Sequence, residues 1–518
     1  MKFQFNHFSD NRSSIIVYIL IGVFFITNLI IACNQSIWLD ETYTLNTTYQ
    51  DPGGVINSAL QMEMQPPFYF LLLKFWRLID DGIVWARMLS VIFASISIFY
   101  FYKLIRLHGT ERLAVNLTML FALNPFTFWA AQEIRVYALS FLLLIIQEYL
   151  FSKIYLSDQE SGRKNRFLFI LVSAIGISTN FYLAFPLVAN FGVLLFLRRK
   201  RVWAYLSDMI LPVVCAAAFM AIMPWKEILY YQMTDHSHLG DTYNQSFIKL
   251  LIHNIVMLIK KANLFVSGWE RYALPVIGEH NYHIYIAALV YIAVIVRLIT
   301  DRRRIFSKDN LVYVLFFSFL TLILLLQYFV VRGDAMVINH SYYLFPPMMA
   351  ILMALIFHKS DIISGKLFVI LVCAYVARDI TYYSTNRKSE GLVQISEYIN
   401  CNGAETDKIV AYKSLTAHTY HLIDGERGEI YTFPEPFDFK NPINQRRYVV
   451  NSKETIDSFL VRNNLRDTIW LITDHTEGLF LGMDFRYDLV NEYFAGNHVV
   501  LSDSLFANEY RLQKIRLR

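Results

Sequence analysis

The sequence predicts an α-helical polytopic membrane protein of about eleven transmembrane helices, followed by a small extracytoplasmic α/β domain. Three observations predict it. Of 518 residues, 55% are hydrophobic and only 17% charged, against roughly 25% charged in ordinary soluble domains. Charge-free apolar runs of spanning length recur, beginning with Ser13 to Leu39 between Arg12 and Asp40. Beyond Asn386 the apolar runs shorten to strand length. This composition excludes disordered, collagen-like and small disulfide-stapled chains. The net charge of +5 is spread along the chain and gives no nucleic-acid signature. Four scattered cysteines form no disulfide framework.

The first run is long enough to cross a bilayer, which needs about 20 apolar residues as helix. It lacks a small-residue cleavage site, so it reads as an uncleaved first span. Further runs lie at 83–105, 113–130, 134–156, 167–182, 183–197, 207–223, 283–300, 310–331, 341–357 and 364–383. Only Asn180 and Pro186 mark a turn between the fourth and fifth of these. Orientation follows from the excess of Lys and Arg in cytoplasmic loops. With the N-terminus inside, the inner loops carry Arg106 and Arg112; Arg163, Lys164 and Arg166; Arg198 to Arg201; Arg302 to Arg304; and Lys359 and Lys366. The first outer loop, Asn34 to Gln65, carries no Lys or Arg. An odd number of spans places the C-terminal domain outside the cytoplasm. Residues 1–385 then form the membrane domain, and 386–518 the soluble one.

In that second part, Lys408–Tyr412, Glu429–Phe433, Thr468–Thr473 and His498–Leu501 read as strands, with amphipathic stretches such as Lys453–Val461 between them. It contains no nucleotide loop, metal cluster or nucleophile elbow, so it reads as a structural or acceptor-recognition module.

The unusual polar residues sit at the outer ends of the early spans. Asp40 and Glu41 are adjacent carboxylates at the membrane boundary, with no base in their loop to neutralise them. Carboxylates beside low-dielectric lipid hold protons more readily than in water, which suits a general base; the alternative is a solvated loop. The loop closes with Gln65-Pro66-Pro67-Phe68-Tyr69, opening an apolar run too short to span. It reads as an interfacial helix, either the wall of a lipid entrance or a simple anchor. Gln132-Glu133-Ile134-Arg135-Val136-Tyr137 forms a tight outer turn. Arg matches phosphate oxygens best, though a lone Arg there also suits a snorkelling anchor. Asn339-His340-Ser341-Tyr342-Tyr343 opens a late span on the same side and supplies hydrogen-bond donors. In the long outer loop, Asp235, His236, His238 and Asp241 offer metal-ligand chemistry, a pattern that polar loops also contain by chance.

These motifs, in this order and topology, resemble those of the GT-C glycosyltransferases, in the branch of the protein mannosyltransferases and aminoarabinose transferases. The resemblance covers roughly residues 10–385. It implies transfer of a sugar from a polyprenyl-phosphate carrier to a glycan, lipid or protein acceptor on the outer face. Asp40 and Glu41 match the family's acidic pair. Gln65, Pro66, Pro67 and Tyr69 match the segment closing the first loop, with Gln65 where His is common. Arg87 and Ser90 match an Arg-x-x-Ser pattern; Glu133, Arg135 and Tyr137 match the turn. Near the late prolines, many relatives read Arg-Tyr where this chain has His340-Ser341-Tyr342-Tyr343.

The implied reaction is inverting. Asp40 takes the acceptor proton, while Arg135, with Arg87 and His340, binds the departing phosphate. Gln65, Tyr69, Glu133, Tyr137 and Tyr343 would line the substrate. Some members of the family use a divalent metal and others none; Glu41 orients the acceptor or binds a divalent cation, and the residues do not decide which. The rival reading is a transporter or flippase for lipid-linked saccharides, which needs ionisable residues deep inside several spans. Compact loops favour a bacterial inner membrane, with the C-terminal domain periplasmic.

Overall fold

The computed structural model describes residues 11–61, 63, 65–158, 161–223, 252, 256, 263–267, 272–274, 278–280, 282–301, 311–312, 315–316, 318–323, 345–358, 361–385, 387–404, 407–412, 414–424, 430–432, 452–474, 477–480 and 483–518. The chain divides into two compact units. One comprises Met1–Cys33, Gln65–Ile222 and Asp241–Thr385; the other comprises Asn34–Met64, Met223–Gly240 and Asn386–Arg518.

The first unit is helical. α1 (Asn11–Asn34) has 24 residues, a length of about 36 Å at 1.5 Å per residue. Ile15, Ile19, Val23, Ile26 and Ile30 are exposed along it, while Val17, Phe24, Asn28 and Ala32 are buried. One side therefore packs on protein, and the apolar other side suits lipid. α4 (Phe68–Trp76) is a nine-residue helix, too short to span, as its sequence predicts. Its end is fixed by Trp76 and Trp85, which stack at 4.5 Å. Each indole N–H also donates to the other residue's carbonyl, at 2.8 and 2.9 Å. α5 (Ile83–His108) packs along α8 (Tyr137–Phe151).

The run at 113–130 is a broken span. α6 (Glu111–Leu123) and α7 (Pro125–Ala131) meet at 58°. Pro125 has no N–H to continue the ladder and disfavours helix at Asn124. Asn124 instead caps α7 by accepting from the Phe126 N–H at 2.8 Å. The turn expected near Asn180 separates α9 (Arg163–Thr179) from α10 (Ala184–Leu197), and Asn180 accepts from the Tyr182 N–H at 2.9 Å. α11 (Val202–Asp208) and α12 (Ile210–Ile222) belong to a second pair bent by 50°. Strands β1 (Tyr272–Leu274) and β2 (Gly278–His280) form a small hairpin. Further helices run over Tyr282–Thr300, Phe345–Phe357 and Ile362–Thr385. Among the described residues, three helices are long and apolar enough to cross a membrane, or up to five if each bent pair is one span. The expected eleven is not reached among them, because several apolar runs form short helices: Ala184–Leu197 has 14 residues.

The second unit contains a five-stranded sheet in the order β4-β3-β5-β9-β8. β3 (Lys408–Ala411) pairs in parallel with β4 (Ile430–Thr432) and β5 (Thr468–Asp474). β9 (Tyr510–Arg516) is antiparallel between β5 and β8 (Val499–Phe506). A separate hairpin joins β6 (Glu477–Phe480) to β7 (Met483–Arg486). Alternation along β5 builds two cores. Trp470 and Ile472 pack with Leu392, Ile395 and Tyr420, whereas Ile469 and Leu471 pack with Ile456, Phe459, Val490 and Phe494. The unit also contains α2 (Leu39–Tyr49) and α3 (Pro52–Gln61), which the sequence reading placed in an outer loop.

Candidate functional site

The acidic pair lies in the first turn of α2. Trp38 is extended and forms the N-cap. Glu41, at the third helical position, reaches back to accept from the Trp38 N–H at 3.3 Å, the reciprocal half of a capping box. Negative charge in this first turn also meets the positive end of the helix dipole. Glu41 is 0% exposed, and its Oε2 pairs with Lys388 Nζ at 3.0 Å. The Lys388 backbone N–H donates to Gln35 Oε1 at 3.3 Å. Asp40 is partly exposed. The Thr42 hydroxyl lies 3.2 Å from the Trp38 carbonyl and 3.0 Å from the Thr419 hydroxyl. Hence α2 is held by groups far along the chain. No base in the Asn34 to Gln65 stretch neutralises the pair, as the sequence indicates, but Lys388 does so for Glu41. Sequence spacing carries no signal for that partner.

In the first unit, the turn between α7 and α8 carries Gln132, Glu133, Arg135 and Tyr137. Gln132, Glu133, Ile134 and Val136 are each at most 2% exposed. Gln132 Nε2 donates to Asn28 O at 2.8 Å and Asn28 Oδ1 at 2.9 Å. The Ser90 hydroxyl donates to the Glu133 carbonyl at 2.6 Å. Arg87, fully buried, donates from Nη1 to the Ala32 carbonyl at 3.2 Å. The Arg-x-x-Ser pattern therefore ties α5 both to α1 and to the turn. Tyr137 is buried and stacks on Trp129 at 4.6 Å, while Arg135 is half-buried. Tyr69 is fully buried at the start of α4, edge-on to Phe70, and Gln65 is partly exposed. A snorkelling turn would leave its polar residues in the headgroup region; burial of Gln132 and Glu133 contradicts that for these two.

Sequence reading missed a neighbouring group at the end of the helix Ile362–Thr385. Arg378 and Asp379 are 3% and 7% exposed and pair at 3.0 Å. The Arg378 guanidinium lies 4.2 Å from the centre of the Tyr382 ring, and Tyr382 is within electrostatic reach of Glu133. The available signal was an Arg-Asp dipeptide inside an apolar run, where ionisable residues mark function. His340 and Tyr343 lie outside the described residues, as do Asp235, His236, His238 and Asp241. Among the described residues, no group of three or more His, Cys, Asp or Glu is placed to hold a metal.

No family model matches the chain, and no curated protein matches it. Among solved structures it is similar to ArnT from Cupriavidus metallidurans in the apo state, at 12% identity and a TM-score of 0.46, covering 96% of this chain and 97% of that one. It is also similar to the Archaeoglobus fulgidus oligosaccharyltransferase in complex with Zn and sulfate, at 10% identity and a TM-score of 0.47, covering 88% of this chain and 68% of that one. Both are GT-C glycosyltransferases, the class that the sequence motifs resemble. With TM-scores below 0.5, these are likenesses only, and no residue role is carried across from them.

Proposed function

We propose that this protein is an inverting membrane glycosyltransferase of GT-C type that moves a sugar from a polyprenyl-phosphate carrier to an acceptor on the outer face. The observation that carries the reading is burial. Glu41, Arg87, Gln132 and Glu133 all lie in sequence at the outer ends of early spans, yet each is almost wholly buried. Solvated loops and lipid anchors do not bury such groups without partners, because desolvation is costly. Polar groups held in this way, in either unit, suit preorganised binding and catalytic roles.

In the proposed reaction, the acceptor hydroxyl oxygen attacks the anomeric carbon and its proton passes to Asp40. The bond between that carbon and the phosphate oxygen breaks, and the electron pair leaves with the polyprenyl phosphate. Attack opposite to departure inverts the anomeric centre. Arg135 stabilises the phosphate by a two-pronged hydrogen bond. Ser90, through the Glu133 carbonyl, holds the turn that carries Arg135, while Arg87, tied to α1 through the Ala32 carbonyl, is assigned with it to the phosphate. Gln65, Tyr69, Glu133 and Tyr137 are assigned to the substrate, with His340 assisting at the phosphate and Tyr343 at the sugar. Glu41, already ion-paired, is assigned no metal. Residues 1–385 carry the transferase and 386–518 an outer α/β module, in a bacterial inner membrane with the N-terminus cytoplasmic.

Arg135→Lys tests the donor assignment. It keeps the charge and loses the fork, so turnover of polyprenyl-phosphate sugar should fall about 10-fold or more, with the protein still inserted. Unchanged kinetics would reduce Arg135 to an anchor.

A further inference from the structure

We propose that Lys388 is a positioning residue for the transfer reaction, acting through Glu41 on Asp40; this rests on the assignment of Asp40 as the base. Glu41 and Asp40 are consecutive in the first turn of α2, so their side chains leave the helix about 100° apart. Fixing one sets the direction of the other. Glu41 is fixed twice on one carboxylate oxygen: by the Trp38 N–H at 3.3 Å and by Lys388 Nζ at 3.0 Å. The Lys388 backbone is itself anchored to Gln35, on the chain entering the same helix. The hydroxyl contact of Thr42 with Thr419 holds the next residue of α2. Rotation of α2 about its axis would break these contacts together.

Lys388 also places a positive charge against the buried Glu41, the neighbour of Asp40 in the first turn. Two adjacent carboxylates with no cation nearby would repel each other and loosen the turn. The Lys388–Glu41 pair thus holds the helical turn that carries Asp40. Nothing in the span pattern points to Lys388, which lies just after the last apolar run. Its role comes from the fold, which brings the stretches Asn34–Met64 and Asn386–Arg518 into one unit.

The test uses the full-length protein in detergent or vesicles, with a panel of polyprenyl-phosphate-linked hexoses and aminopentoses as probes. Release of polyprenyl phosphate and transfer of sugar are both measured. Lys388→Met leaves Glu41 buried without its cation and risks misfolding, so the decisive variant is the double Glu41→Gln/Lys388→Met. That pair removes both charges and keeps an acceptor for the Trp38 N–H. We expect it to fold with wild-type thermal stability and unchanged KM for the donor, but with kcat reduced about 10²-fold, the loss that a displacement of about 1 Å can cause. Lys388→Arg, which retains the ion pair, should keep kcat within a few-fold of wild type. A folded double variant with wild-type kcat would overturn the proposal and leave the pair a structural contact. Equal kcat losses in Lys388→Arg and in the double variant would also overturn it. Asp40→Asn run in parallel separates the two readings: full transfer by that variant sinks the base assignment itself, whatever Lys388 does.

Discussion

Asp361 shows how much one carboxylate at a helix start contributes. It precedes the helix Ile362–Thr385, and its Oδ1 accepts from the Ser364 N–H at 2.9 Å, an N-cap bond. Arg297 Nη2 donates to the same carboxyl at 2.7 Å and also to the Ser364 hydroxyl. Burial pushes the Asp361 carboxyl up, but hydrogen bonds from Arg297 and Ser364 outweigh it and hold it at about 2, below the ordinary 3.8. The folded value is the lower one, so the stability it contributes is complete above about pH 4 and lost as pH falls toward 2. In Asp361→Asn, the part of acid destabilisation that falls in this window should disappear, while stability at neutral pH drops by about 0.5–2 kcal/mol with the weakened cap. Melting curves between pH 2 and 7 check this. An acid transition identical to wild type would show that Asp361 is not linked to folding.

At the scale of elements, close helix contact depends on small residues, as is general inside membranes. Gly192 in α10 is one: a Cβ there would meet the Phe319 ring at 2.8 Å, and Phe196, one turn on, also touches that ring. Gly192→Ala should therefore cost about 1–3 kcal/mol by overpacking, and Gly192→Ala with Phe319→Leu should recover part of it. A thermal shift assay on the detergent-solubilised protein measures both; a neutral single variant would mean that the ring moves freely. Most elements were legible in the sequence because their signals are local. A charge-free run gave α1, a longer apolar run gave α5, the Pro66-Pro67 break gave the start of α4, and apolar runs gave β3, β4 and β5 to within a few residues. The bend at Asn124 was not read, although Pro125 supplied the reason for it. β9 was also missed, since Tyr510–Arg516 alternates apolar residues with Arg and Lys. Neither the burial of α2 nor its partner Lys388 was legible, because long-range pairing leaves no trace in periodicity. The acidic pair and the turn motif were readable as residues; their hydrogen-bond partners were not.

At the scale of the whole molecule, the rival transporter reading requires several ionisable groups deep within the spans. Glu148, inside α8, is such a group, but Asn190 Nδ2 donates to it at 2.7 Å. That is a local polar contact and not in itself a relay. Arg378 and Asp379 lie in the last two turns of their helix and pair with each other. Each of these described groups has a polar partner close by, which does not by itself call for passage through the spans. The proposed reaction assigns the proton transfer to Asp40, the first carboxylate after a charge-free span. The most direct measurement compares purified wild type with Asp40→Asn, using a polyprenyl-phosphate-linked sugar and following both donor binding and sugar transfer. Asn preserves the size of Asp and still hydrogen-bonds, but it takes up no proton. Because general-base assistance typically supplies about 10²–10⁴-fold in rate, the account predicts wild-type donor affinity with transfer reduced by that factor. Transfer at the wild-type rate by a folded Asp40→Asn protein would contradict it.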